Sequence, residues 1–225
     1  MDRFSKFLSV VTIFSAATLL AGVAWGNTVP ANMVTNPGFE TGNFTGWNSY
    51  GTWYVSDTPD DVHSGTYAAV NSLTVAAGTT STTYSGLYQN IADPNAAGRV
   101  FDASVWISTA VTNGYSDAFL QLQFQNASGS VLQQYETTPV RGDQAYSQYS
   151  LSNLVAPSGT AIIQMQGVVN GIGGLTLSTS NTGYTRFDSF SLTAVPEPAS
   201  AALMTLGIAG FALVCRRRSS LTTPR

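Results

Sequence analysis

Between Thr28 and Val195 the chain alternates between apolar and polar residues at a period of two. The clearest run is Phe119–Asn126, FLQLQFQN. Leu120, Leu122 and Phe124 fall on one side of it, and Gln121, Gln123 and Gln125 on the other. Successive side chains of a strand point to opposite faces. The run therefore predicts a half-buried strand whose amide-lined side faces solvent or a ligand. Similar runs cover 52–57, 66–73, 84–91, 99–109, 131–137, 146–154, 161–169 and 185–194. Turn formers separate them, among them Asp93-Pro94-Asn95, Asn113-Gly114, Ser128-Gly129, Pro157-Ser158-Gly159 and Asn170-Gly171. Helical periodicity is missing from this stretch. About nine or ten short strands with such spacing predict an all-β, antiparallel sandwich. Residues 171–182 are the least regular and read as a long loop with a short strand at Leu175–Leu177.

Two segments break the alternation. At the start, Arg3 and Lys6 precede an apolar run from Phe7 to Val23, and Ala24-Trp25-Gly26 puts small residues at both cleavage positions. This predicts a secretory signal peptide over 1–26. The alternative is an uncut first transmembrane helix. At the end, Val195-Pro196-Glu197-Pro198 leads into an apolar run from Ala199 to Cys215, followed by Arg216-Arg217-Arg218. The prolines forbid regular structure. As a helix the run reaches roughly 25 Å, enough to span a bilayer core. The arginines would stop it on the cytoplasmic side.

Subtracting these ends changes the charge picture. The chain has 9 basic and 12 acidic residues. Six of the basic residues (Arg3, Lys6, Arg216, Arg217, Arg218 and Arg225) lie in the ends. Residues 27–194, the predicted domain, keep only Arg99, Arg141 and Arg186 and no lysine. A basic nucleic-acid footprint is thus excluded. The single cysteine, Cys215, lies in the tail, so the domain relies on an ordinary core without disulfides.

Catalysis finds little support. His63 is the only histidine and sits in a predicted turn, His63-Ser64-Gly65, where a structural role is expected. No sequence feature singles out a carboxylate pair for glycoside hydrolysis. A binding surface is the better expectation, because aromatic rings stack on sugars and amides bond their hydroxyls. Trp53, Tyr54, Tyr84, Tyr88 and Trp106 come from strands that could line one sheet. Gln121, Gln123, Gln125, Gln164 and Gln166 come from others. Alternation lets only part of each set share a face, and the glutamine rows are the more secure group.

The tail, Pro196-Glu197-Pro198 with its apolar run and Arg216-Arg217-Arg218, closely resembles the PEP-CTERM sorting signal of Gram-negative, often biofilm-forming, bacteria. That resemblance implies an inner-membrane-anchored precursor, processing by an exosortase, and delivery to the cell surface or extracellular matrix. The domain opens on Asn36-Pro37-Gly38-Phe39-Glu40, Gly42 and Gly46-Trp47. It continues with His63-Ser64-Gly65-Thr66-Tyr67-Ala68 and closes on Arg186-Phe187-Asp188-Ser189-Phe190. In order and composition this resembles the jelly-roll carbohydrate-binding modules of the CenC-like group. The resemblance implies a non-catalytic β-sandwich contacting exopolysaccharide, with Phe39 and Trp47 as core anchors. It also implies a structural Ca²⁺ at Glu40 and Asp188, helped by backbone carbonyls near the His63 turn. Alternatively these two acids cap turns, or one pairs with Arg186. The competing function is a structural or adhesive surface protein with no carbohydrate ligand.

Overall fold

The computed structural model describes residues 31–78, 82–110, 116–171 and 181–196. Ten strands form it: β1 (Asn48–Tyr50), β2 (Trp53–Ser56), β3 (Ala68–Val75), β4 (Thr83–Ala92), β5 (Val100–Ala110), β6 (Ser116–Gln125), β7 (Val131–Glu136), β8 (Gln144–Val155), β9 (Ile162–Gly171) and β10 (Asn181–Ala194). They build two five-stranded antiparallel sheets, β1-β4-β9-β6-β7 and β2-β3-β10-β5-β8. All nine alternating runs are strands. β1 is the addition: its three residues, Asn48, Ser49 and Tyr50, are all exposed and carry no alternation. A single 3-10 turn at Pro59–Asp61 is the one helical element among the described residues. The signal segment, the apolar tail and the Leu175–Leu177 strand lie outside the described residues. Within them, no helix is long and apolar enough to cross a membrane.

The alternation of β6 explains how the two sheets meet. Leu120, Leu122 and Phe124 are fully buried. They face Phe101, Val105 and Ile107 of β5 and Phe187 of β10 in one core cluster. The opening motif closes one end of this core. Phe39, Trp47 and Phe190 form an aromatic group, with centroids 5.5 Å apart for Phe39–Trp47 and 4.7 Å for Trp47–Phe190. The Trp47 indole N–H donates to the Asn36 carbonyl at 3.1 Å. Both expected anchors are therefore in place, each with its polar handle or edge satisfied.

The sheets approach closely at Gly167 of β9. A Cβ there would stand 2.9 Å from Phe187 Cδ1 and 3.2 Å from Phe190 Cζ. Those rings are themselves buried and cannot swing aside. Gly167→Ala is expected to destabilise by about 1–3 kcal/mol through overpacking. A domain of this size would then melt several degrees lower, roughly 2–4 °C per kcal/mol. A thermal melt with an unchanged midpoint would show that the core can relax here.

Candidate functional site

The outer face of the first sheet carries rows of amide side chains, with the buried apolar pair Phe119 and Val168 on the same face between Gln121/Gln166 and Asp117/Asn170. On β6, Gln125 Nε2 donates to Gln123 Oε1 at 2.9 Å, and Gln123 Nε2 donates to Gln121 Oε1 at 2.9 Å. Gln123 also donates to Gln134 of β7 at 2.8 Å. Gln121 and Gln134 both donate to Glu136 Oε1 at 2.7 Å. On the other flank Gln164 of β9 donates to Asn90 of β4 at 2.8 Å. Cross-strand register makes this possible: Gln123 pairs with Gln164, and Gln121 with Gln166. The expected glutamine rows share one face, and they bond mainly to one another.

Aromatic rings border the amide rows on β1 and β4. Tyr88 pairs in register with Gln166. Tyr50 reaches over Gly86, where a Cβ would stand 2.5 Å from its ring carbons. Only glycine leaves room for the ring to come this close to the strand. The Tyr50 hydroxyl accepts from Gln166 Nε2 at 2.7 Å. Burial raises the Tyr50 pKa, partly offset by that hydrogen bond. Tyr84, 60% exposed, stands at the far end of β4 opposite Asn170. Asn170 Oδ1 is buried without a hydrogen-bond partner. Asn170 also pairs in register with Asp117 of β6. The Asp117 carboxylate holds Arg141, whose Nη2 lies 3.0 Å from Oδ2.

Trp53 does not join this face. Its ring lies inward, 5.7 Å from Phe187, and its indole N–H donates to the Tyr50 carbonyl at 3.0 Å. Ser85 Oγ donates to the same carbonyl, also at 3.0 Å. Trp53 thus positions Tyr50 from behind. Sequence alternation could not reveal this, because β2 is four residues long and its register is set by β3. Trp106 and Tyr54 belong to the second sheet. Trp106 is capped by His63, stacked at 3.9 Å and 17°. Tyr146 packs beside His63 and donates its hydroxyl to the Asp61 carbonyl at 2.6 Å. Arg186 pairs with Asp61 rather than with Glu40 or Asp188. His63 is therefore part of a loop that covers the second sheet.

Glu40 and Asp188 converge on that same loop. Glu40 lies in a turn ahead of β1, not on a terminal strand. Its carboxylate accepts the backbone N–H of Thr66, at 3.1 and 3.0 Å to its two oxygens, and of Tyr67 at 3.2 Å. Asp188 Oδ2 accepts the N–H of His63 at 3.0 Å and of Ser64 at 2.9 Å. A Cβ on Gly38 would stand 3.3 Å from Asp188 Oδ1 and 3.8 Å from Glu40 Oε1, so the two acids face one small space. Asn32, Ser64 and Ser189 complete its rim. Phe39 and Ser189, the neighbours of the two acids, adopt left-handed backbone at φ 62° and 53°. Such conformations cost of order 1–3 kcal/mol each and mark places where geometry is imposed. Carboxylate and hydroxyl oxygens around the space are of the hard kind that Ca²⁺ takes, while the Asn32 amide oxygen is engaged by the Val34 and Leu192 N–H groups. Among the described residues no third acidic, histidine or cysteine side chain joins the pair.

The β10–β5 ladder runs past Ala194 to the tail: Val195 N–H donates to the Val100 carbonyl at 2.8 Å. Residues 194–218 match the family described as the PEP-CTERM protein-sorting motif. The chain carries a PEP-CTERM sorting motif. Of its named residues, Pro196 is described; Glu197, Pro198 and Arg216–Arg218 lie outside the described residues. No curated protein matches the chain. Among solved structures, the module TmCBM61, in complex with β-1,4-galactotriose, is similar at 20% identity and TM-score 0.51. That match covers 73% of this chain and 99% of the other. The enzymatically active domain of bacteriophage CBA120 tailspike protein 4 is similar at 15% identity and TM-score 0.53, over 73% of this chain but only 21% of that one. A Stig cyclase from Fischerella sp. TAU is similar at 15% identity and TM-score 0.50, over 73% and 97%. These likenesses show the fold that precedes the PEP-CTERM motif, a two-sheet β-sandwich used by proteins of different description.

The buried Asp188 carboxyl gives the pair a pH signature. Desolvation raises its pKa, and the hydrogen bonds from Ser64, Ser189 and His63 only partly offset this. A raised folded-state pKa means that the folded form holds the proton to higher pH than the unfolded form. Stability from this group is therefore full below the unfolded pKa and lost as pH rises through the folded one. Asp188→Asn keeps an oxygen for both amides and removes the charge. With a chelator present, the variant's melting midpoint should gain on wild type as pH rises from about 4 to neutral. A difference that does not vary with pH would remove this account of Asp188.

Proposed function

We propose that this protein is an exported, non-catalytic surface protein that binds carbohydrate through the outer face of its first sheet. The observation that carries the reading is the presence, on one face, of amide rows together with the Tyr50, Tyr84 and Tyr88 side chains, Tyr50 being joined to the rows through Gln166. Rings beside amides match what sugar surfaces require, an apolar face to stack on and hydroxyls to bond. The similarity to a module solved with a galactotriose supports the same reading at the level of architecture. The PEP-CTERM motif supports export, an inner-membrane-anchored precursor and processing by an exosortase, with the signal segment over 1–26 removed. Exopolysaccharide at the cell surface or in the matrix is then the expected ligand, and the sandwich is expected to be of the jelly-roll kind.

One observation favours a rival. Gln121, Gln123, Gln125 and Gln134 bond one another and need no ligand, as a purely structural or adhesive surface would allow. Polysaccharide pull-down and glycan-array binding of the exported domain separate the two. Tyr84 is the sharpest probe, because its exposure makes it dispensable for folding. Tyr84→Ala should weaken glycan binding about tenfold, the loss of one stacked ring, with an unchanged melting midpoint. No retention of wild type on any neutral or acidic glycan would leave the structural reading standing.

Structural Ca²⁺ at Glu40 and Asp188 is part of the same proposal. It would supply a positive centre between two acids that no basic side chain pairs among the described residues. Added Ca²⁺ should raise the melting midpoint, with a gain that grows as the logarithm of its concentration over Kd, and chelator should lower it. Asp188→Asn should lose that response while staying folded. An identical wild-type midpoint with Ca²⁺ and with chelator would remove the metal.

A further inference from the structure

The large exposed aliphatic side chains of the described residues gather at one end of the sandwich. Val131 is 50% exposed, Leu132 42% and Val155 52%; the other large exposed hydrophobics are all tyrosines. Val155 pairs with Val100, and Val100 accepts the last rung of the ladder from Val195. Val131 opens β7 opposite Gln125 at the end of β6, which pairs with Ile162 at the start of β9. Segments 93–99 and 156–161 join the two sheets here. A Cβ on Gly159 would stand 3.9 Å from Leu132 Cδ1. All three side chains thus lie at the end of the sandwich from which the chain leaves for its sorting tail.

The tether at that point has no slack. Val195 is held in the sheet, and only Pro196, Glu197 and Pro198 precede the apolar run that begins at Ala199. Three extended residues reach about 10 Å. The polar layer on each side of a bilayer core is roughly 5–8 Å thick. If the apolar run is in the bilayer, this end of the sandwich is held at the headgroups. Arg99, which lines the exit with Val195 and Pro196, is paired with Asp93 at 2.6 Å, and the tether itself adds one negative charge at Glu197.

We propose that this end is a lipid-facing surface: in the anchored precursor Val131, Leu132 and Val155 rest at the headgroup boundary. The sheets then stand upright and the polar face of the first sheet opens sideways, clear of the membrane. The inference rests on the tail acting as a membrane anchor.

The test uses the full-length chain with Cys215→Ser, reconstituted into phosphatidylethanolamine–phosphatidylglycerol vesicles carrying a headgroup-depth nitroxide lipid. Single fluorophores are placed at Val131→Cys, Val155→Cys and, at the opposite end, Thr74→Cys. Quenching at 131 and 155 should exceed that at 74 by about twofold or more, as expected for groups at the interface. Inserting about ten Gly/Ser residues between Val195 and Pro196 should erase the difference by freeing the domain. Equal quenching at all three sites in vesicle-bound protein overturns the proposal. Shielding of 131 and 155 only when a sorting peptidase is co-reconstituted also overturns it, and reassigns the surface to that enzyme. A chain that fails to float with the vesicles would overturn the anchor itself, and this surface with it.

Discussion

Two carboxylates hold one loop, and much of the molecule's arrangement follows from that. Glu40 comes from the first turn of the domain and Asp188 from its last strand, yet both accept amides from residues 63–67. The beginning, the end and an early connection are thereby locked together. The lock requires left-handed backbone at Phe39 and Ser189 and a register shift between Asp188 and Ser191. The strain is sustained by the backbone amides that both acids bind, although desolvation works against the charged form of Asp188. Phe39 and Phe190, each next to a strained position or a carboxylate, fill the core end with aromatic contact.

The lock also decides which face of the sandwich is free. The loop it fixes lays His63 over Trp106 and brings Asp61 against Arg186 and Tyr146, so the middle of the second sheet's outer face is covered from within. No comparable loop among the described residues closes over the glutamine rows of the first sheet. An architecture that looks symmetric in strand count is therefore unequal in use, with one face closed by its own chain and the other presenting polar groups.

Strand positions were legible because period-two patterning is local. FLQLQFQN already separates the core side from the amide side without any knowledge of its neighbours. β1 was not legible: three exposed residues paired to β4 have no pattern of their own. Contacts that depend on register were hidden as well. Mutual pairing of the glutamines requires β6 to lie beside β7 in one particular alignment, and the inward turn of Trp53 requires β3 to set β2. The convergence of Glu40 and Asp188 was expected only by resemblance, since no spacing rule brings residues so far apart in the chain to a common space. The stacking of His63 on Trp106 could not be read from a turn motif.

The Tyr50 ring passes close over Gly86, with the residue's carbonyl fixed by Ser85 and Trp53 and its hydroxyl by Gln166. A ring held this way has already surrendered its rotational freedom during folding. Anything that stacks on it meets a preorganised platform, and association does not have to freeze that side chain again, a saving of about 0.5–1.5 kcal/mol for a mobile group. The exposed Tyr84, by contrast, must be ordered on contact. The same face thus combines a rigid ring with an adaptable one. Its affinity for an extended, repetitive ligand would be set by how many such rings engage at once rather than by any single deep cavity.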